Sequence, residues 1–296
     1  MTGAVYDRGY RPFEGQRGGR PEARLALLRA SIRRALGLRR PWRQKVAPFV
    51  LLAIAVIPAV VNVGVKYLTR DTPASEIEFF TYREYVGVSN ALLVFVALTA
   101  PDIMCPDRRQ RVLPLLFARP LTGVDYVVAK LGAMAAILFA FSFLPQVVLF
   151  VGQMLVSADG ALGYLTDNAE VIWQIPIAVA LLALHYAAIG VAISSLTSRR
   201  IVAGASIVGL LLVTSITSSV LVGDELRTFD GGSPAALINL AALPLLLRDV
   251  VFLGQIDRGS QLSGVANGGL YAVVVFVAVQ VVAIVTLLVR YGEVER

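Results

Sequence analysis

Long apolar runs, separated by polar and mostly basic breaks, set the order of this chain. Residues 46–65, 85–100, 131–156, 171–196, 201–222 and 267–289 are almost wholly apolar, and a helix needs about 20 such residues to cross a bilayer. The run 85–100 is short unless it extends into Ile103 or back into the aromatic stretch 79–82. Pro58 in the first run is a tolerated kink. Six membrane-crossing helices are therefore expected. A shorter apolar stretch, 237–247, halts at Arg248-Asp249, and at about 1.5 Å per residue it covers roughly half the hydrocarbon core. It lies in a break, 223–266, too long for a simple connection. This predicts a re-entrant or interfacial hairpin on the outer side, between helices five and six. Ahead of the first run, Leu25, Leu28, Ile32 and Leu36 recur at helical spacing, with Arg24, Arg29, Arg33, Arg34, Arg39 and Arg40 largely on the other sides. An amphipathic helix over 21–40 follows, opened by Pro21 and closed by Gly37 and Pro41. A basic helix placed just before a span lies in the interface plane.

Composition fixes the class. The chain is 57% hydrophobic and 16% charged, with a mean hydropathy of +0.72, whereas soluble domains run at about 45–50% and about 25%. This is an all-α integral membrane protein. Its net charge of +7 would suggest nucleic acid in a soluble protein. Here the cations flank apolar spans and read as orientation signals, with no nucleic-acid partner. Of the 27 Lys and Arg residues, 21 fall in 1–45, 102–130, 199–200 and the tail after 289. Those segments belong inside, so both termini are expected in the cytoplasm. The N-terminal segment has no apolar region near its start and does not read as a cleavable signal. Two regions result: a cytoplasmic segment, 1–45, and a single transmembrane domain, 46–296, with an inner loop at 102–130.

That inner loop carries Arg108, Arg109, Arg111, Arg119 and Lys130. Each would cost about 2.5–3.5 kcal/mol at the bilayer centre, so the whole loop is expected to protrude into water. Within it, Val112, Leu113, Leu115, Leu116 and Phe117 form an apolar ridge bracketed by arginines. Such a ridge either dips into the headgroup layer or presses into a groove on another protein. The loop's exit, Thr122-Gly-Val-Asp125, is a capping-box pattern that starts the helix leading into span three.

The order Asp107-Arg108-Arg109, a short apolar run, Arg119-Pro120-Leu121, then Asp125-Tyr126-Val127 and Lys130 entering a membrane helix resembles the cytoplasmic loop of bacterial ABC-2 type (type V) exporter permeases. The segment Tyr6-Asp-Arg-Gly-Tyr-Arg-Pro-Phe-Glu-Gly-Gln-Arg17 resembles an opening common in one bacterial branch of them, with Phe13 in place of a tyrosine. The resemblance implies a multi-pass permease subunit in the bacterial cytoplasmic membrane, exporting a substrate with ATP hydrolysed elsewhere. Its partners would be two ATPase subunits, which carry the MgATP, and a second permease copy. It further implies a coupling helix seated on the ATPase, drawn from Arg108, Arg109, Arg111, Leu113, Leu115, Leu116, Phe117 and Arg119. The 21–40 helix, through Leu25, Leu28, Ile32 and Leu36, would be an interfacial helix that also touches the ATPase. From the residues alone that helix serves equally as a lipid anchor. The family also carries short external helices between its fifth and sixth spans. The alternative is an ATP-independent carrier or a membrane scaffold. Carriers usually show repeat symmetry and buried charge for ion coupling, and neither is read here.

Chemistry in the chain is sparse. No phosphate-cradling Gly-x-x-x-x-Gly-Lys-Ser/Thr occurs, so the chain itself is not expected to hydrolyse ATP or to hold a cofactor. One cysteine, Cys105, excludes an intrachain disulfide and a thiolate metal site, and the serines have no evident base partner. His185, the one histidine, falls mid-span beside Tyr186. An ionisable group there is either functional or a neutral imidazole bonded to a neighbouring helix. Asn62, Asn90, Gln146, Gln153 and Gln280 either line a polar pathway or bond across helices, and the four-residue spacing of Gly132, Ala136 and Ala140 predicts close helix packing.

Overall fold

The computed structural model describes residues 19–38, 42–70, 80–86, 89–117, 121–157, 160–225 and 232–292. All regular structure among them is helical: α1 (Arg20–Ala35), α2 (Trp42–Thr69), α3 (Tyr82–Tyr85), α4 (Ser89–Arg109), α5 (Leu113–Phe117), α6 (Gly123–Val156), α7 (Gly160–Asp167), α8 (Ala169–Leu196), α9 (Arg200–Glu225), α10 (Leu243–Leu253) and α11 (Gly268–Gly292), with a 3₁₀ turn at Pro234–Ile238. Five of these, α2, α6, α8, α9 and α11, are long and apolar enough to cross a membrane. That is the build of a multi-pass membrane protein. The opening motif 6–17, with Arg39, Arg40, Pro41 and Arg119, lies outside the described residues.

Local sequence explains where helices start and stop. α1 ends at a Schellman turn: Gly37 takes a left-handed φ of 65°, and Leu38 N–H reaches back to the Arg33 carbonyl, satisfying a group the helix end orphans. The helix is therefore shorter than the expected 21–40. α6 starts as its sequence predicts. The Thr122 hydroxyl accepts from Asp125 N–H at 3.3 Å and the Asp125 carboxylate accepts from Thr122 N–H at 3.1 Å, a reciprocal capping box. α4 corrects the expected second span and the loop after it. The helix does not stop near Ala100 but continues through Pro101, Asp102 and Pro106 to Arg109, because Ile103, Met104 and Cys105 on this stretch bury against the core. The stretch between α4 and α6 shrinks to residues 110–122 and contains α5.

α8 is the central helix. Its most apolar window is 72% buried, against 17–22% for α2, α9 and α11, which stand at the rim. α4, α6, α10 and α11 pack around it, and α1 lies across the ends of α4 and α6. Close approaches fall at glycines other than the expected series. A β-carbon on Gly152 would meet Val63 at 2.4 Å, one on Gly190 would meet Ala100 at 2.9 Å, and one on Gly204 the Ala97 carbonyl oxygen at 2.8 Å. Of the predicted trio, Gly132 packs against Leu28, while Ala136 and Ala140 are exposed. The apolar stretch expected to end at 247 carries on as α10 through Arg248 and Asp249 to a left-handed Gly254 cap. With the 3₁₀ turn it packs on α8, α9 and α11.

Candidate functional site

α1, α4, α6 and α9 meet at one end of the bundle, and ion pairs hold them together. Asp107, at the end of α4, is buried and sits at the centre. Lys130 of α6 places Nζ 2.5 Å from its carboxylate and also donates to the Ile103 carbonyl at 3.0 Å. Arg34 of α1 pairs with the other carboxylate oxygen. The Tyr126 hydroxyl donates to Asp107 at 3.0 Å, and its ring lies 4.9 Å from that of Tyr291 on α11. Burial pushes the Asp107 carboxyl up, but Lys130 and then Arg34 outweigh it and hold it below the usual carboxylate range. A second clamp fixes the other end of α1: Asp125, the capping residue, takes Arg20 at 2.6 Å and Arg24 at 3.8 Å. A third joins α9 to α4 through Arg200 and Asp102 at 2.6 Å. Of the four loop cations among the described residues, Arg109 and Arg111 are exposed as expected, whereas Arg108 and Lys130 turn inward. Lys130 does not protrude into water but is 1% exposed, tolerated because its carboxylate and carbonyl partners replace the water it loses.

α5 stands off this end. Arg111 takes a left-handed φ of 51° as α4 closes, with Val112 N–H bonded to the Asp107 carbonyl at 3.1 Å. The chain reverses into α5, which turns Leu113 and Leu116 against the core and leaves Leu115 71% exposed. Arg109 and Arg111 are exposed. Arg108 is turned inward instead and donates to the Ser195 carbonyl at the end of α8, 2.5 Å away. Phe117 closes α5. On α1, Ile32 and Leu36 pack on the core and Leu28 on Gly132, while Leu25 remains exposed. A cleft of about 730 Å³ lies beside α5, lined among others by Arg108, Leu196, Arg290 and Tyr291.

His185 is far from this cluster in the fold and fully buried. Its Nε2 lies 2.8 Å from the Leu240 carbonyl, which can only accept, so that nitrogen carries the proton. Nδ1 is then left to accept from Gln280 at 3.2 Å. Both ring nitrogens are engaged by a neutral imidazole. Next to it the Tyr186 hydroxyl donates to the Ala241 carbonyl at 2.7 Å, so α8 holds the open stretch between the 3₁₀ turn and α10 by two backbone carbonyls. Asn62, Gln146 and Gln153 bond across helices as well: Gln153 with Asn62 at 3.5 Å and with Tyr164 at 2.8 Å, and Gln146 with the Tyr82 carbonyl at 3.3 Å; the Asn90 side chain lies outside the described residues. At the end opposite Asp107, Arg83 pairs with Asp257 at 3.0 Å and Arg248 with Asp249 at 2.7 Å.

Among the described residues no group of three His, Cys, Asp or Glu side chains is placed to hold a metal ion. Sequence reasoning singles out neither Asp102 nor Arg20, and it reads Asp107, Asp125 and Arg34 as a loop motif, a helix cap and a basic face rather than as one set of ion pairs. Their signal was present as acids interleaved with the loop's cations, a balance that a purely orienting loop does not need. No family model, curated protein or solved structure matches this chain.

Proposed function

We propose that this chain is the permease subunit of a bacterial ABC-2 type exporter, working in the cytoplasmic membrane with its basic end inside. The observation that carries this reading is α5. It is a helix too short to serve the core for its own sake, held by Leu113 and Leu116 and presenting Leu115 beside exposed arginines. An apolar tip on a charged rim suits the groove of a soluble partner better than lipid headgroups. In this reading an ATPase subunit receives α5, a second permease copy completes the unit, and MgATP is bound and hydrolysed on the ATPases. The sixth crossing is the apolar part of α4. It lacks the hydropathy of the others because it is enclosed by α6, α8 and α9 and carries its polar groups inward. The 3₁₀ turn and α10 are the re-entrant element of the outer side. A push on α5 would reach the spans through Asp107 and Asp125, since these tie α1, α4 and α6 into one piece.

The test compares three variants purified from native membranes. Leu115→Asp places a carboxylate where the partner would cover it, a loss of several kcal/mol. It should abolish both co-purification of a phosphate-loop ATPase and ATP hydrolysis by the preparation. Arg109→Ala removes a rim charge of about 0–1 kcal/mol and should keep both. Leu116→Asp strikes the anchor of α5 and should lower thermal stability as well. An ATPase retained by Leu115→Asp, or transport in liposomes by this chain alone, would favour an ATP-independent carrier.

A further inference from the structure

We propose that the furrow between α4 and α9 is a binding site for one anionic phospholipid, drawn from the leaflet at the basic end of the bundle. The furrow has a volume of about 750 Å³ and is walled by Leu98, Pro101, Ile201, Ala205, Val208 and Leu212. Its walls face outward: Ile201 is 87% and Leu212 52% exposed, with no described residue covering them. A β-carbon on Gly209 would meet nothing within 4 Å, so the space is open and not merely unlined.

Three features identify the occupant. The first is length. From Arg200 to Leu212 the furrow follows α9 for roughly 18 Å, close to the ~15 Å depth of one leaflet's hydrocarbon. The second is width. α4 and α9 touch where Gly204 meets the Ala97 carbonyl, so the furrow narrows there to a shallow groove, against which a flexible acyl chain can lie. The third is charge. The apolar walls end at the Asp102–Arg200 pair, 2.6 Å apart, with Arg200 still 42% exposed on its side chain. Arg199 is exposed next to it and makes no ion pair with any described residue. Among the described residues, two guanidinium groups against one carboxylate leave one positive charge at headgroup depth. A phosphodiester answers that charge with oxygens that match the guanidinium fork. A zwitterionic headgroup would bring an ammonium to the same spot and lose the advantage. The site depends on no ATPase partner, so it stands or falls apart from the exporter reading.

Full-length protein in nanodiscs, doped with phosphatidylglycerol carrying a photoreactive diazirine in the middle of one acyl chain, tests this directly. Labelling should concentrate on residues 201–212, about fivefold over the exposed face of α11. Ala205→Leu, which fills the furrow, should remove that excess. Arg199→Ala, a surface change that leaves the fold intact, should reduce it about threefold. A phosphatidylcholine probe with the same tail should show no excess. Even labelling of all rim helices, or equal labelling by the two headgroups, overturns the proposal. So does a Gly209→Cys variant, made with Cys105→Ser, that forms a disulfide with a second copy while the probe stays out, because a protein then fills the furrow.

Discussion

Asp107 is the residue on which the basic end turns. Two cations and a tyrosine hydroxyl share its carboxylate, and the pairs differ in what their loss leaves behind. Asp107→Leu leaves the Lys130 ammonium, 1% exposed, with the Ile103 carbonyl and the Tyr126 ring but no countercharge, so a loss of about 3–5 kcal/mol is expected. Lys130→Met leaves the carboxylate its bonds to Arg34 and Tyr126, so the loss should be clearly smaller. Thermal unfolding of the purified protein in detergent orders the two. Because Asp107 is held below its unfolded value, its contribution is complete at neutral pH and fades only as pH falls through the folded pKa. Wild type should therefore lose stability on acidification below about pH 4, and Asp107→Leu should show less of that acid limb. Arg111 makes a different point. It closes α4 in the left-handed region, where a side chain costs about 1–2 kcal/mol. Arg111→Gly should raise the melting temperature slightly, and a fall would mean that its charge outweighs that strain.

Helix approach depends on single backbone groups. Pro101 has no N–H, so the Ala97 carbonyl loses its usual partner one turn back, and α9 brings Gly204 against that oxygen. Gly204→Ala would place a methyl 2.8 Å from it and force α9 outward, at about 1–3 kcal/mol. Gly209→Ala, in open space, should be neutral or slightly stabilising, since alanine is the better helix former. Equal melting temperatures for the two would mean that the helices do not meet there. This contact also shows what the sequence could and could not carry. Apolar run length gave α2, α6, α8, α9 and α11, and the Thr122–Asp125 capping box gave the start of α6, because those signals are local. The extension of α4 past Ala100 was hidden. Two prolines and several charges read as breakers when only their neighbours are seen, yet α1 and α6 supply the countercharges from far along the chain. Small-residue spacing failed for a related reason. It marks a face that permits close packing, and tertiary structure decides which faces are used: Gly152, Gly190 and Gly204, not Ala136 and Ala140. The exposed tip of α5 was half legible, since the apolar ridge was plain but the inward turn of Leu113, Leu116 and Arg108 was not.

The whole molecule is polarised. Arg24, Arg29, Arg33, Arg109, Arg111 and Arg199 lie exposed at the end where α1, α4, α6, α8 and α9 meet, whereas at the far end Arg83 and Arg248 are matched by Asp249 and Asp257. A basic face is retained on the cytoplasmic side during insertion, so on the proposed reading this asymmetry would place α5 inside. Cys105, the natural thiol, cannot report on it, because it is buried against the Ser194 and Thr197 carbonyls at the end of α8. A reporter must be moved to the surface. With Cys105→Ser as background, Arg109→Cys should react with an impermeant maleimide only after the cytoplasmic face is opened, and Arg258→Cys should react in intact cells. Both positions are exposed, so silence at either is a result about sidedness and not about burial. Reaction of Arg109→Cys in intact cells would invert the protein in the membrane. It would also put α5 on the side where no ATP is found, and the exporter reading would fall with it.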